Sequence, residues 1–331
     1  SAGLFFPYGS LPGYQIGNSA TDISIYPAEG LKPEFVNTKE VGVELGFLKN
    51  RINLEATYYK QNNIDQVLGV KLSNTTGATT ALLNAGSFFN KGLELDLKLT
   101  PLVRIGEAEI DFKINYSHQT SEITRLIDDV KELGIGNYNY AIVGSPAFTF
   151  KMNDYNRDSA TGKVIVDAQT GMPSINSNVT QFGRNMPEHI LGLNLSVNWK
   201  GVTLSAVAEY RTGNEIIADQ LGEFMDDNGI SARSGSYGRR AFVFPNSVYL
   251  KDGKYVNNTN VYTQTYGRLF YNNGPLNTDV TTNYLADASF WKLREVSLSY
   301  SLPKSIFGEK GIKGAEISVY GRNLFMWLPK S

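Results

Sequence analysis

Asn90–Ser117 reads NKGLELDLKLTP, a short turn, then EAEIDFKINYS. Leu93, Leu95, Leu97 and Leu99 alternate with Glu94, Asp96, Lys98 and Thr100. After the turn, Ile110, Phe112, Ile114 and Tyr116 alternate with Glu109, Asp111, Lys113 and Asn115. A period of two over about ten residues specifies a β-strand with one apolar and one polar face. Two such strands joined by a short turn form an antiparallel hairpin. The apolar face is unbroken and the polar face is heavily charged, which suits a wall between lipid and water. If the chain turns over Pro101–Gly106, Lys98 faces Glu109, Asp96 faces Asp111 and Glu94 faces Lys113 across the ladder. Such pairs are expected to be solvated and of small individual worth.

The same pattern recurs on both sides. Val41, Val43, Leu45 and Phe47 alternate with Glu40, Gly42, Glu44 and Gly46; after Leu48–Asn50, Ile52, Leu54, Ala56 and Tyr58 carry the return strand to about Leu72. Ser73–Ser87 reads as a loop. Leu191–Trp199, the pair Lys200-Gly201 and Val202–Tyr210 form a further hairpin; Val296–Leu302 and Ala315–Arg322 form the last. Short turns follow Phe47, Thr100, Trp199 and Leu302, whereas long connections separate the hairpins. Residues 1–37 read as loop with a partial strand, and 38–331 as about eight barrel strands with long external connections near 118–186 and 212–282. Outer-membrane barrels alternate short and long connections in this way. Phe47, Tyr58, Tyr116, Trp199, Tyr210 and Tyr300 lie near strand ends on the apolar phase, as interfacial girdles require. The expected fold is all-β, a portion of a large antiparallel transmembrane barrel. A strand edge cannot stay unpaired in lipid, so the barrel is expected to draw on further strands outside this sequence.

Composition narrows the function classes. Among 331 residues, 41% are hydrophobic, the net charge is −1 and there is no cysteine. That gives no case for nucleic acid, a disulfide framework or thiolate chemistry. No apolar run reaches the ~18 residues of a membrane-spanning helix. The start, SAGLFFPYGSLPG, lacks a signal-peptide pattern and a leading methionine, which suggests a piece of a longer protein or a processed form.

Several segments resemble the C-terminal barrel of SusC/RagA-type TonB-dependent transporters of the Bacteroidetes outer membrane. They are Leu31–Gln61, LLNAGSFFNKGLELDLKLTP (Leu82–Pro101), ASFWKLREVSLSYSLPKS (Ala288–Ser305) and ISVYGRNLFMW (Ile317–Trp327). The resemblance implies a barrel of about 22 strands closed by an N-terminal plug that is absent here. It implies a SusD-like surface lipoprotein as lid, energy from TonB–ExbB–ExbD through the plug, and a dimer of transporter–lid pairs. The cargo it implies is an oligosaccharide, with oligopeptides as the alternative; it implies no cofactor and no catalysis. A reading of another class is a soluble all-β adhesin, which would purify without detergent.

For a substrate surface, the sequence offers loop aromatics amid Asn and Gly: Tyr138, Tyr140, Tyr237, Tyr249, Tyr255, Phe270 and Tyr271. Aromatic faces stack on sugar rings and amides bond hydroxyls, although tyrosine is equally at home in protein interfaces. Asp154, Asn156 and Asp158 have the 1-3-5 spacing of a calcium loop, but Ser159 stands for its glycine and Ile165 for its glutamate, and ordinary turn chemistry accounts for the run. His118 and His189 are the only histidines, and neither lies in a nucleophile or metal motif.

Overall fold

The computed structural model describes residues 23–26, 30–71, 78–136, 138–218, 222, 224–226, 228–233, 240–262, 277–307 and 314–329. Its principal element is one sheet of eight successive strands. They are β1 (Phe35–Phe47), β2 (Ile52–Lys71), β3 (Ala78–Ile105), β4 (Ala108–Leu126), β5 (His189–Trp199), β6 (Val202–Thr212), β7 (Phe290–Ser301) and β8 (Glu316–Trp327), each paired with the next. A ninth short strand, Ile23–Tyr26, pairs in parallel with the start of β3. No helix among the described residues is long and apolar enough to cross a membrane, which says nothing of strands.

The register converts the sequence pattern into rows. Phe47, Ile52, Leu99, Phe112 and Leu195 are cross-strand neighbours on β1 through β5. So are Leu45, Leu54, Leu97, Ile114 and Leu193, and then Val43, Ala56, Leu95, Tyr116 and Leu191. On the opposite face run Glu44, Glu55, Asp96 and Asn115, beside a row containing Lys98 and Lys113. The apolar rows stay open: Val41 is 69% exposed, Val43 50% and Leu298 51%. Fully buried apolar side chains lie elsewhere, in the segments outside these rows. A water-soluble sheet hides its apolar face, so this inversion marks lipid as the solvent of that face.

The apolar face ends at a defined level. Beyond the row Val41, Tyr58, Leu93, His118 and His189 comes a row holding Lys39, Lys60 and Lys91 as direct neighbours, all exposed. The Lys60 and Lys91 ammonium groups approach the Phe89 ring, at 4.7 and 5.7 Å from its centroid. Long lysine stems cover apolar surface while their heads reach water. From the Phe47 row to this lysine row is eight residues, about 27 Å along the strands, or about 20 Å along the normal at usual tilt, close to the ~25 Å apolar band of such barrels.

Three expectations are corrected. The Ser73–Ser87 segment is not all loop, because Ala78–Ser87 belongs to β3 and pairs with β2 and β4. The β3–β4 register differs from the one inferred: Lys98 faces Lys113, Asp96 faces Asn115, Glu94 faces Ser117, and Glu109 faces Arg104. The cause is local. Pro101 has no N–H to give a ladder, and Thr100–Leu102 form a bulge between the pairs Leu99/Phe112 and Val103/Ile110. The strand then resumes, and the chain reverses only at Gly106-Glu107, where Gly106 takes a φ of 61°. Finally, β4 continues past His118 to Leu126, and both long connections contain short strands of their own.

The short turns follow residue chemistry. Lys200 and Gly201 have φ of 51° and 82°, the left-handed pair of a two-residue hairpin turn. The Ser301 amide donates to the Gly201 carbonyl, so β7 ends at the same end of the sheet as that turn.

Contacts divide the chain into two units, one built on the sheet and one comprising Phe150–Pro187, Arg211–Trp291 and the last five residues. Within the sheet unit, the hairpin Glu132–Gly136/Asn139–Ile142 helps bury Ile123, Leu126, Ala141 and Ala147. The second unit has its own core of Tyr155, Val164, Val166, Phe244 and Val280. Hydrogen bonds join residues far apart in its sequence: the Asn153 side-chain oxygen accepts from the Thr281 amide (3.0 Å), and Asn283 donates to the Tyr155 hydroxyl (2.9 Å). Ser247–Lys251 and Lys254–Asn257 form a hairpin there, and Val164–Ile165 runs parallel to the first of these strands.

Candidate functional site

The polar face of the sheet is a connected surface. Lys98 reaches Glu55 at 3.1 Å, Asn115 donates to Asp96, Thr203 donates to Asn198 at 2.7 Å, and Arg322 pairs with Glu295 at 2.9 Å. Charges of both signs sit side by side and largely compensate, so this face offers a wet wall without a strong preference for either sign. Each exposed pair is worth little to stability.

The aromatic candidates separate. Tyr138 sits at the 132–142 hairpin turn with a φ of 62° and is 37% exposed. The Tyr140 ring lies over Gly134, where an added Cβ would stand 3.5 Å from it. In the second unit, Tyr249 faces Val256 across the hairpin and packs on the buried cluster, whereas Tyr255 faces Leu250 on the other side and is 44% exposed. Directly opposed residues share a face, so Tyr249 serves the core and Tyr255 is presented outward. Tyr237, Phe270 and Tyr271 lie outside the described residues.

The acidic run is occupied by its own neighbours. Asp154 accepts from Arg157 (2.6 and 3.1 Å), from the Tyr155 amide (2.8 Å) and from the Thr282 hydroxyl (2.9 Å). Asn156 donates to Ser174 at 2.7 Å, and Asp158 closes a turn on the Ala160 and Thr161 amides. Burial alone would raise the Asp154 carboxyl, but Arg157, the Tyr155 amide and Thr282 outweigh it and hold it below its ordinary value of 3.8. A depressed folded-state value means the stabilisation is present above the unfolded value and is lost as pH falls through the folded one. We expect Asp154→Asn to weaken the second unit by about 2 kcal/mol at neutral pH, read as faster amide exchange over 153–156 and 281–283. The difference from wild type should begin to shrink near pH 3.8 and vanish once the pH has fallen through the lower folded-state value; a difference undiminished after that fall would show that the ionised carboxylate is not the source.

One constellation escaped the sequence altogether. His118 on β4 and His189 on β5 are cross-strand partners at the upper rim of the apolar face. Their ring centroids are 4.7 Å apart. His118 Nε2 lies 3.3 Å from Glu188 Oε1, and the Tyr116 hydroxyl lies 2.8 Å from His189 Nδ1. Among the described residues, His118, Glu188 and His189 form the one set of such side chains whose ligand atoms all lie within 4.8 Å of one another. Seventy residues separate His118 from Glu188, so only the strand pairing joins them.

Residues 2–324 match the family described as TonB dependent receptor-like, beta-barrel. The chain belongs to this family. Its relatives include the TonB-dependent receptors P26 and P39 of Formosa agariphila. The first is 24% identical over 89% of the chain and 30% of the relative; the second is 21% identical over 86% and 31%. This receptor barrel segment thus spans about 30% of the length of those relatives. In fold it is similar to the RagAB peptide importer in its closed-closed state, with a TM-score of 0.66 at 24% identity, over 90% of the chain and 32% of that one. A second RagAB structure, described as a peptide transporter, gives 0.63 at 22% identity, over 89% and 32%. Family membership implies an outer-membrane location. The named relatives are receptors and transporters, not enzymes.

Proposed function

We propose that the full-length protein is a closed, multi-pass barrel that imports an oligosaccharide across the outer membrane, driven by TonB–ExbB–ExbD through a plug and capped by a SusD-like lipoprotein. The observation that carries this reading is the two-faced sheet. One face is apolar, exposed and bounded by lysines; the other is lined with compensated charge over which a polar, uncharged oligomer can pass. Within this chain, β1 and β8 each have a sheet neighbour on one side only among the described residues, and lipid demands that both edges be paired. Two transporter–lid pairs would make the assembly.

Tyr138 and Tyr255 are the aromatic candidates presented outward, and a sugar ring could stack on either. Oligopeptide cargo is the second reading, favoured by the fold likeness to a structure described as a peptide importer. Cells carrying the full-length transporter should accumulate labelled oligosaccharide, and cells lacking it should not. Accumulation of peptides alone would retain the transporter and replace its cargo. Tyr138→Ala and Tyr255→Ala, each tested alone, should bind the cargo about fivefold more weakly, about 1 kcal/mol; unchanged affinity in either variant would remove that residue from cargo binding.

A further inference from the structure

We propose that His118, Glu188 and His189 form a binding site for a divalent transition-metal ion, zinc being the best match, on the rim of the sheet. Two imidazoles and one carboxylate are a common zinc donor set that leaves the fourth position for water. A tetrahedral ion with bonds of about 2.0–2.1 Å sets neighbouring ligand atoms about 3.3–3.4 Å apart. His118 Nε2 and Glu188 Oε1 stand 3.3 Å apart, at that edge length without movement. The His189 ring completes the set, since one ligand atom from each of the three residues lies within 4.8 Å of the other two.

The surroundings support the same assignment. The Tyr116 hydroxyl occupies His189 Nδ1, which leaves Nε2 of that ring for the ion; ligating histidines are ordinarily held through their other nitrogen in this way. The backbone fixes the donors as well. His118 and His189 are paired in the ladder, and the Gln119 amide donates to the Glu188 carbonyl at 2.9 Å. Glu188 therefore enters the site from the residue just before β5, and the ion would clasp β4 to β5 where the chain returns from the 127–187 excursion. All three side chains are partly exposed, so an ion can enter from water and exchange. The chain has two histidines in 331 residues, and both are in this cluster. The site does not depend on which cargo the protein carries.

The test uses full-length protein in detergent, stripped with chelator and titrated calorimetrically with Zn²⁺. Wild type is expected to take up one equivalent that the His118→Ala/His189→Ala double variant does not. Glu188→Gln and Tyr116→Phe are each expected to weaken binding about tenfold, the effect usual for a lost ligand or outer partner. Equal zinc uptake by wild type and the double variant would overturn the proposal. Should the variants fail to fold, X-ray absorption on zinc-loaded wild type decides: two imidazole nitrogens at about 2.0 Å are required, and a spectrum without imidazole scattering would overturn the proposal equally.

Discussion

Leu97→Arg should cost the folded, membrane-inserted protein up to about 2–4 kcal/mol, the depth-dependent penalty for a cation on the lipid face of a barrel. Leu97 lies in the row Leu45, Leu54, Leu97, Ile114 and Leu193, which is aliphatic across five strands. An arginine there has no carboxylate in its own row and no water to reach except by bending along the strand. The companion variant is Thr57→Arg, one face over. Thr57 stands opposite Glu94 on the polar side, where the same cation gains a partner and keeps its hydration. Its effect should stay within about 0.5 kcal/mol. The measurement is reversible unfolding of the full-length protein from phospholipid vesicles. Equal losses from both variants would mean the two faces do not meet different solvents, and the barrel reading would fall with that result.

Tyr155→Ala is expected to cost the second unit about 3–5 kcal/mol, the range for deleting a large buried ring. Tyr155 is 5% exposed and meets Phe244 edge to face, with centroids 5.7 Å apart, inside the cluster with Val164, Val166 and Val280. Tyr155→Phe keeps the ring and loses only the hydroxyl that Asn283 donates to, so about 1 kcal/mol is expected. Limited proteolysis and amide exchange should show residues 150–187 and 211–291 opening together in the alanine variant. The β1–β5 ladder should keep its protection, since none of its register pairs involves this cluster. Selective opening of one excursion alone would show that the hydrogen bonds from Asn153–Tyr155 to Thr281–Asn283 do not unite the two segments.

Much of the sheet was legible without coordinates. Val41–Phe47, Leu93–Leu99, Ile110–Tyr116 and Leu191–Trp199 alternate because each strand meets two media, and that requirement is written into every second residue regardless of what the strand pairs with. The turns at Leu48–Asn50 and Lys200-Gly201 were readable because the alternation breaks there at Asn50 and Gly201, residue types that accept left-handed backbone, although Leu48, Lys49 and Lys200 take it as well. The β3–β4 register was not. One proline and a three-residue bulge displaced every pair in the hairpin, and only the contacts of the neighbouring strands decide where such a bulge is absorbed. The strand character of Ala78–Ser87 was hidden too, because small and polar residues there pair on both sides without a two-phase pattern.

The sites divide along the same line. Exposure of Tyr255 and burial of its near neighbour Tyr249 follow from a hairpin whose parity no composition reveals. The Asp154 carboxylate spends its lone pairs on Arg157 and on Thr282, 128 residues away, so its spacing to Asp158 carried no information about an ion. By itself the sequence determined that the chain makes two-faced strands with short turns at one end. Tertiary structure decided which residues meet across those strands, and it alone brought His118 to Glu188 and His189. Periodicity is enforced residue by residue by the surrounding solvent, whereas a cluster of side chains distant in sequence exists only once the strands carrying them are in register.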